Sequence, residues 1–572
     1  MVKPSTDELS PCPWWHRFVA LGLVLALWAL TLALVPPVGE FPLNDDWVYA
    51  QAVKDWMETG HYEGHIFSTA AFVGQAWWGR LFCELFGFSF LSLRWSTLVL
   101  WLAAALGTSL AALQLRVRPP VAALAGCVII ANPLMMNLGY TFMTDVPFVG
   151  LMAVSGLFYL RALQSPRWQW VLLGSLFGAA ALLTRQFAVL IPAAFVLSLC
   201  PWEARWRQRA SIPLMASLVL PWAAAWGLLK MLPSHAAEMG YAWNPNLLGD
   251  TMGERIFGGF KFYGVSMTYL GLFVLPLVIG AVGYWFRYKE GKWQRRVVGF
   301  GLVMLPLAAA VCGSTPSRIP FLGNMFFDAG VGPMTLRGIN MGSYLWRPVT
   351  IGAWWWLPTL LGLAAAGWML AGTIRWVVLI PGDGRRPLRD ARRRQQCFLM
   401  IWAVLMVVSL YHPWVPVRFD RYLIGALVPV VLLVAMVPVG RGLGQGLLAW
   451  GSLAALYIFS VVCLQDYMAW NTTRWAIANR LMNEQGLTAE QIDGGYEFNG
   501  WLTSPYYIER QGAGAFLNAG PMGWWVVEDR YAISWLPRAG FEKVEEVPYD
   551  SWLAGDKGKL LLLKQKDDAS EP

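Results

Sequence analysis

The sequence predicts a mainly α-helical, polytopic transmembrane bundle with interfacial helices outside the bilayer and a small α/β domain at its C-terminal end. Three observations carry this. Of 572 residues, 57% are apolar and only 14% charged, where an ordinary soluble protein has roughly 25% charged. Apolar runs approaching the length needed to cross a bilayer, about 20 residues, recur from Phe18 to Cys463. The charges gather between those runs and in the final 109 residues. A soluble enzyme of this size would leave too much apolar surface in water, and the composition excludes a disordered or collagen-like chain.

Thirteen runs are read as spans, near 18–35, 91–115, 121–138, 146–163, 170–184, 187–200, 211–229, 264–286, 297–312, 353–380, 398–412, 422–439 and 446–463. With the N-terminus inside, 22 of the 44 Lys and Arg residues fall in inward segments against only six acids. The positive-inside rule then predicts an N-in, C-out orientation. The clusters RYKEGKWQRR and GRRPLRDARRRQQ are read as topology signals meeting anionic lipid, so the net charge of +9 implies no nucleic-acid partner. The first run follows a charged leader without a small-residue cleavage site, which predicts an uncleaved signal anchor. Seven scattered Cys residues, with no CxxC and no Cys/His spacing, predict neither a disulfide framework nor a structural zinc.

Four segments outside the membrane are long: 36–90, 230–263, the Gly- and Pro-rich 313–352, and the tail 464–572 with 16 acids and 10 bases. Two domains are therefore expected, residues 1–463 in the membrane (including the loop 36–90) and residues 464–572 outside it. In the tail, DYMAWNTTRWAIANRLMNE predicts an amphipathic helix leaving the last span. GWWVVED and KLLLLKQ predict strands.

Candidate chemistry gathers on the outer side. The first loop begins FPLNDDWVYAQAVKDWMETGHY, where Asp45 and Asp46 adjoin a helical pattern with Asp46 or Asn44 as its expected N-cap. Adjacent like charges raise one pKa, which suits a general base. The short second loop NLGYTFMTDVPF holds one acid, Asp145, at the mouth of a helix pair, where an ionisable group is costly unless paired or functional. A simple N-cap with Pro147 in the first turn is the plainer reading. Arg185 in LLTRQF runs against the inward bias and is placed to meet a lipid phosphate or to snorkel. Arg418, Asp420 and Arg421 precede the twelfth run, and Arg337 and Arg347 lie in 313–352. Asp420 and Arg421 also read as a structural ion pair. His61 and His65 flank Glu63, but two glycines in GHYEGH argue against a helix presenting both, so no metal site is expected there, and use of a divalent cation is left open without support from the sequence. The absence of GxSxG and of any P-loop removes serine hydrolysis and ATP-driven transport.

The order of one span, DDWVYAQAVKDWMETGHY, WWGRLFCELFGFSFLSLRWSTL, TFMTDVPF and ALLTRQFAVLIP resembles the membrane-embedded GT-C glycosyltransferases of the aminoarabinose transferase and protein O-mannosyltransferase family. The resemblance is clearest over the first 200 residues or so and returns weakly in RYLIGALVPVVLLVA. It implies that Asp45, four residues before Tyr49, is the catalytic acid of the first loop. It also implies that Asp46 and Asp145 are the accompanying acids, and that Arg185 is the basic position after the fifth span. Donors of this family are polyprenyl-phosphate sugars, and the reaction usually inverts the anomeric centre. Val48 stands where the aminoarabinose transferases carry a basic residue, and HIFSTAAFVGQ replaces their Lys-Pro-Pro segment.

The expected activity is therefore sugar transfer at the periplasmic face of a bacterial inner membrane, from a polyprenyl-phosphate donor to a lipid, glycan or protein acceptor. Tyr49, Arg185, Arg421 and Arg418 would hold the donor side, and no ATP site is needed because the donor is already activated; whether a divalent metal is used stays open. A transporter or lipid flippase is the alternative; it would place its ionisable groups near the bilayer midplane and often shows repeated, broken helices.

Overall fold

The computed structural model describes residues 14–68, 72–199, 212–232, 251–287, 324–327, 330–336, 356–378, 391–410, 419–438, 442–511 and 524–566. The run 297–312 and residues Arg337, Arg347 and Arg418 lie outside them. The described parts of the other runs read as spans lie almost wholly on helix. Among the described residues six helices are long and apolar enough to cross a membrane, or eight if each of two bent pairs is one span.

The membrane part starts with α1 (Trp14–Leu34), followed by three helices of the first loop and its exit: α2 (Asp46–Thr59), α3 (Val73–Phe86) and α4 (Phe90–Gln114). Ser89 caps α4 by accepting from the Ser92 amide. Next come α5 (Pro119–Ala131) and α6 (Pro133–Gly139), bent by 59°. The bend has a local cause: Pro133 has no N–H to continue α5, and Asn132 Oδ1 accepts from the Leu134 and Met135 amides to restart the chain as α6.

Then follow α7 (Asp145–Gln164), α8 (Trp168–Leu182), α9 (Leu190–Leu199) and α10 (Ile212–Met231). Helices α11 (Met252–Phe273) and α12 (Leu275–Arg287) form the second bent pair, at 74°. A two-residue hairpin, β1 (Phe326–Phe327) with β2 (Gly330–Val331), precedes α13 (Trp356–Val378), α14 (Ala391–Ser409) and α15 (Leu427–Ala435). One buried core runs from Val24 of α1 through α5, α7 and α14 to the C-terminal residues.

The last long helix, α16 (Leu443–Gln485), has 43 residues and runs unbroken through the boundary expected at 463/464. Its outer part is the amphipathic segment read from the sequence. Beyond it lie β3 (Ile492–Asp493), α17 (Tyr496–Phe498), α18 (Ser504–Gln511), β4 (Tyr531–Ser534), β5 (Phe541–Pro548) and β6 (Lys559–Gln565). They form a four-stranded sheet of order β3-β4-β6-β5, parallel only between β3 and β4. KLLLLKQ is β6, its four leucines buried. GWWVVED is not a strand: its described residues are turn and irregular chain, and β4 begins at Tyr531. The two tryptophans serve packing instead, with Trp525 buried edge-on against Trp47 at 4.9 Å.

Candidate active site

The backbone leading into Asp45 is held at several points. Arg94 of α4 is buried and its guanidinium donates to four carbonyls of the preceding loop, those of Pro37, Val38, Gly39 and Phe41, at 3.1–3.2 Å. Gly39 sits at φ +111°, and a Cβ there would lie 2.3 Å from the Phe41 ring, so glycine is required. The Glu40 carboxylate accepts from the Phe90 amide that opens α4, 2.7 Å away. Asn44 takes φ +56°, a conformation asparagine tolerates better than most residues. Its amide donates to Glu497 Oε1 at 2.9 Å. The other Glu497 oxygen is 2.7 Å from Nη1 of Arg474, and both side chains are fully buried.

The adjacent acids do different things. Asp46 is the first residue of α2, and neither it nor Asn44 caps the helix; Asp45 holds the cap position and its side chain makes no cap bond. The Asp46 carboxylate instead turns back to accept from the Leu43 amide and reaches across to the Phe142 amide at 3.3 Å, stapling the first outer loop to the second. Burial pushes its carboxyl well above the usual carboxylate range, against the opposing field of Arg94. It is 2% exposed.

Asp45 faces outward. Its Oδ2 lies 3.2 Å from Nη1 of Arg421 and its Oδ1 accepts from the Tyr496 hydroxyl at 2.7 Å. The carboxylate keeps 23% of its side-chain surface exposed. Two of its roughly four acceptor positions remain available. Tyr49, one turn along α2, stacks edge-on against Phe72 at 4.8 Å, and burial followed by the charge of Asp45 raises its phenol above the ordinary tyrosine value. Arg185, Asp145 and Arg421 act on the same phenol, so four charged groups surround it.

The second pair is Asp145 with Arg185, 2.9 Å apart. Asp145 is not the N-cap of α7 but its first residue, Thr144 taking the cap position without a side-chain cap bond. Arg185 Nε donates to Thr144 Oγ1 at 2.8 Å, so this arginine points inward rather than snorkelling along the interface. Both arginines flank the ring of Tyr422, with guanidinium carbons 5.1 and 5.6 Å from its centre. Burial opposes the charge of Arg421, but Asp145 and then Asp45 outweigh it and hold the group protonated. A small cavity lies among Asp145, Arg185, Arg421, Tyr422, Met406 and Leu410. At this site Asp145 Oδ2 and Arg421 Nε are buried without a hydrogen-bond partner among the described residues. The side chains of Asp420 and Arg421 form no ion pair: Asp420 accepts from the Met325 and Phe326 amides at β1 and from the Arg421 backbone amide, while the Arg421 guanidinium turns to Asp45.

A larger apolar cavity of about 570 Å³ lies between α11, α13, α14 and α15, lined by residues such as Met267, Trp368, Met400, Val404 and Val430. Both cavities border α14 and its end: Met406 and Leu410 line the small one, Val407 and Val408 the large one. No group of three metal-ligating residues occurs among the described residues. His65 Nδ1 accepts from the Phe67 amide at 3.2 Å, and His61 is exposed.

Sequence reasoning brought Asp45, Tyr49, Asp145, Arg185 and Arg421 to one face, and the structure joins them. It missed Tyr496 and Glu497, which reach the site from 450 residues along the chain. The available signal was DGGYEFNGW, an aromatic and acidic cluster hinged on glycines; Gly495 takes φ +90° and a Cβ there would lie 2.8 Å from the Thr335 carbonyl oxygen.

Charged groups gather at one end of an apolar bundle, and part of the chain is similar to a family of membrane glycosyltransferases. Residues 73–226, from α3 to α10, match the family described as dolichyl-phosphate-mannose-protein mannosyltransferase. The match includes Asp145 and Arg185 and ends short of Asp45 and Arg421 on either side. Three solved structures are similar at low identity. ArnT from Cupriavidus metallidurans bound to undecaprenyl phosphate is 14% identical, with 98% of this chain and 100% of that one covered and a TM-score of 0.38. An Archaeoglobus fulgidus oligosaccharyltransferase in complex with Zn and sulfate is 12% identical over 91% and 67%, at a TM-score of 0.45. Arabinosyltransferase EmbB from Mycobacterium smegmatis is 14% identical over 79% and 43%, at 0.33. The family match covers less than half of the chain, and the sequence matches no curated protein.

Proposed function

We propose that this chain transfers a sugar from a polyprenyl-phosphate donor to the hydroxyl or phosphate of a lipid, glycan or protein acceptor, in a single inverting displacement. The observation that carries the reading is Asp45: a part-exposed carboxylate on an interfacial loop, held between a cation and a phenol, beside a cavity containing a second arginine. In the proposed step the acceptor O–H gives its proton to Asp45 while its oxygen forms a bond to the anomeric carbon. The bond from that carbon to the phosphate oxygen breaks, and polyprenyl phosphate leaves with the electron pair. Negative charge gathers on the phosphate, where fixed cations stabilise it most.

Arg421 and Arg185 are the candidates for that task. Arg421 already shares its charge with Asp45, and Nε is unsatisfied. An arriving phosphate competes with Asp45 for this guanidinium, which frees carboxylate lone pairs as the acceptor approaches. The apolar cavity along α14 fits the donor's hydrocarbon tail. Asp46, sealed on two amides, serves as a staple in this reading and not as a second acid of the reaction.

The site is proposed to face the periplasm of a bacterial inner membrane, with residues 1–463 as the transferase part and 464–572 as a C-terminal α/β part on the same side. The transporter alternative fits less well, because the paired acids and arginines meet at helix ends on one side. The test is to incubate purified protein in lipid with undecaprenyl-phosphate mannose, glucose, arabinose and aminoarabinose and to measure released undecaprenyl phosphate. Release from at least one donor is expected; none from any, with a donor-independent flux across the vesicle instead, overturns the reading. A reporter active only in the cytoplasm, fused after Lys564, should be silent.

A further inference from the structure

Tyr496 belongs to the segment beyond α16, yet its hydroxyl lies 2.7 Å from the carboxylate proposed as the base. Its backbone is fixed independently of that contact. The Tyr496 amide donates to the Thr335 carbonyl at 2.9 Å. The next residue, Glu497, is locked between Arg474 and the Asn44 amide. Trp47, Trp524 and Trp525 surround the ring at 5.3–6.2 Å. Burial and the charge of Asp45 both keep the phenol protonated, so it can only donate to the carboxylate.

We infer that Tyr496 is a positioning residue for the transfer reaction: its hydroxyl fixes the rotation of the Asp45 carboxylate and stabilises its charged form, so that the C-terminal segment completes the active site. This rests on the reading of Asp45 as base. A hydrogen bond donated to a carboxylate favours ionisation. Removing it makes the carboxylate easier to protonate and lets it turn toward Arg421, its other contact. The charged and titratable groups around Asp45 are Arg421 and Tyr496 in contact, with Tyr49, Arg185, Asp145 and Glu497 in the same field. Only Tyr496 is altered in the test.

Tyr496→Phe keeps the ring and its packing. With the best donor of the undecaprenyl-phosphate panel, kcat should fall roughly tenfold, as for one hydrogen bond to a charged group. The donor KM should stay within about twofold. The acidic limb of the kcat profile should move to higher pH. Incorporating 3-fluorotyrosine at position 496, a stronger donor of the same shape, should move that limb to lower pH. If both variants reproduce the wild-type profile and kcat, Tyr496 is packing only and the inference is wrong. The parent reading is tested separately: an active Asp45→Asn variant sinks the base assignment, whereas an inactive one beside an unshifted Tyr496→Phe profile sinks only this inference.

Discussion

Two ion pairs border the same short stretch of backbone and are built in opposite ways. Glu497 with Arg474 is closed: both side chains are fully buried, and Glu497 spends its second oxygen on the Asn44 amide. Asp45 with Arg421 is open: the arginine is 7% exposed and the aspartate 23%, and unsatisfied polar atoms lie nearby. Burying charges costs several kcal/mol each unless geometry and hydrogen bonds offset it, so a closed pair suits a part whose work is to stay still. An open pair keeps lone pairs and a donor available for a reacting molecule. In the proposed reaction the difference separates holding from reacting in residues only one position apart, Asn44 and Asp45.

Substitutions on the two sides should break this contrast in different measurements. The largest expected effect is Asp45→Asn, which should lower kcat by roughly 10²–10⁴-fold, the usual contribution of a general base. Its thermal unfolding should stay near wild type; retention of more than about a tenth of kcat would point to Asp145 as the base. Glu497→Ala should act through stability, costing about 3–5 kcal/mol by leaving Arg474 charged and buried. Thermal unfolding in detergent reads this, and an unchanged melting temperature would mean the closed pair is not what fixes the loop. Arg421→Gln should raise the Kd for undecaprenyl phosphate by about tenfold or more, the value of one charge-assisted hydrogen bond. A Kd equal to wild type would leave the phosphate to Arg185. The smallest change is Asp46→Asn, which replaces one acceptor oxygen facing a backbone amide by a donor and should cost about 1–3 kcal/mol of stability with kcat largely retained.

Much of the bundle was legible because hydropathy and length act locally: the described parts of the runs read as spans lie almost wholly on helix. Strand prediction in GWWVVED failed because its apolar residues obey tertiary packing, with Trp525 filling space against Trp47 and Phe67 rather than pairing in a sheet. At the site, the resemblance led to Asp45, Asp145 and Arg185, but capping was misread for Asp46. Propensity counts an acid at a helix start as a cap, whereas here two amides of neighbouring loops claim it. Arg421 was found, yet its partner was not: adjacency in sequence suggested Asp420, while successive residues of the turn point different ways, one to β1 and one to Asp45. Tyr496 and Glu497 could not be read in advance, since nothing local ties position 496 to position 45.

Helix α16 has a geometric consequence for that distant connection. At 1.5 Å per residue its 43 residues extend about 65 Å, roughly twice the hydrocarbon thickness of a bilayer. Near its middle Ser460 is fastened to the Ala131 carbonyl oxygen at 2.8 Å, and farther along Gln465 and Asp466 grip the loop at 550–552, with Arg474 beyond them. The helix therefore works as a keyed shaft: the azimuth at Ser460 dictates the azimuth at Arg474. One residue inserted between Asp466 and Arg474 would turn the outer part by about 100° and carry the guanidinium off Glu497. Seven inserted residues would nearly restore the angle but lift Arg474 by about 10 Å, out of reach of the loop it locks. The spacing along this shaft is thus a ruler for the height of the Asn44–Asp45 stretch above the apolar bundle.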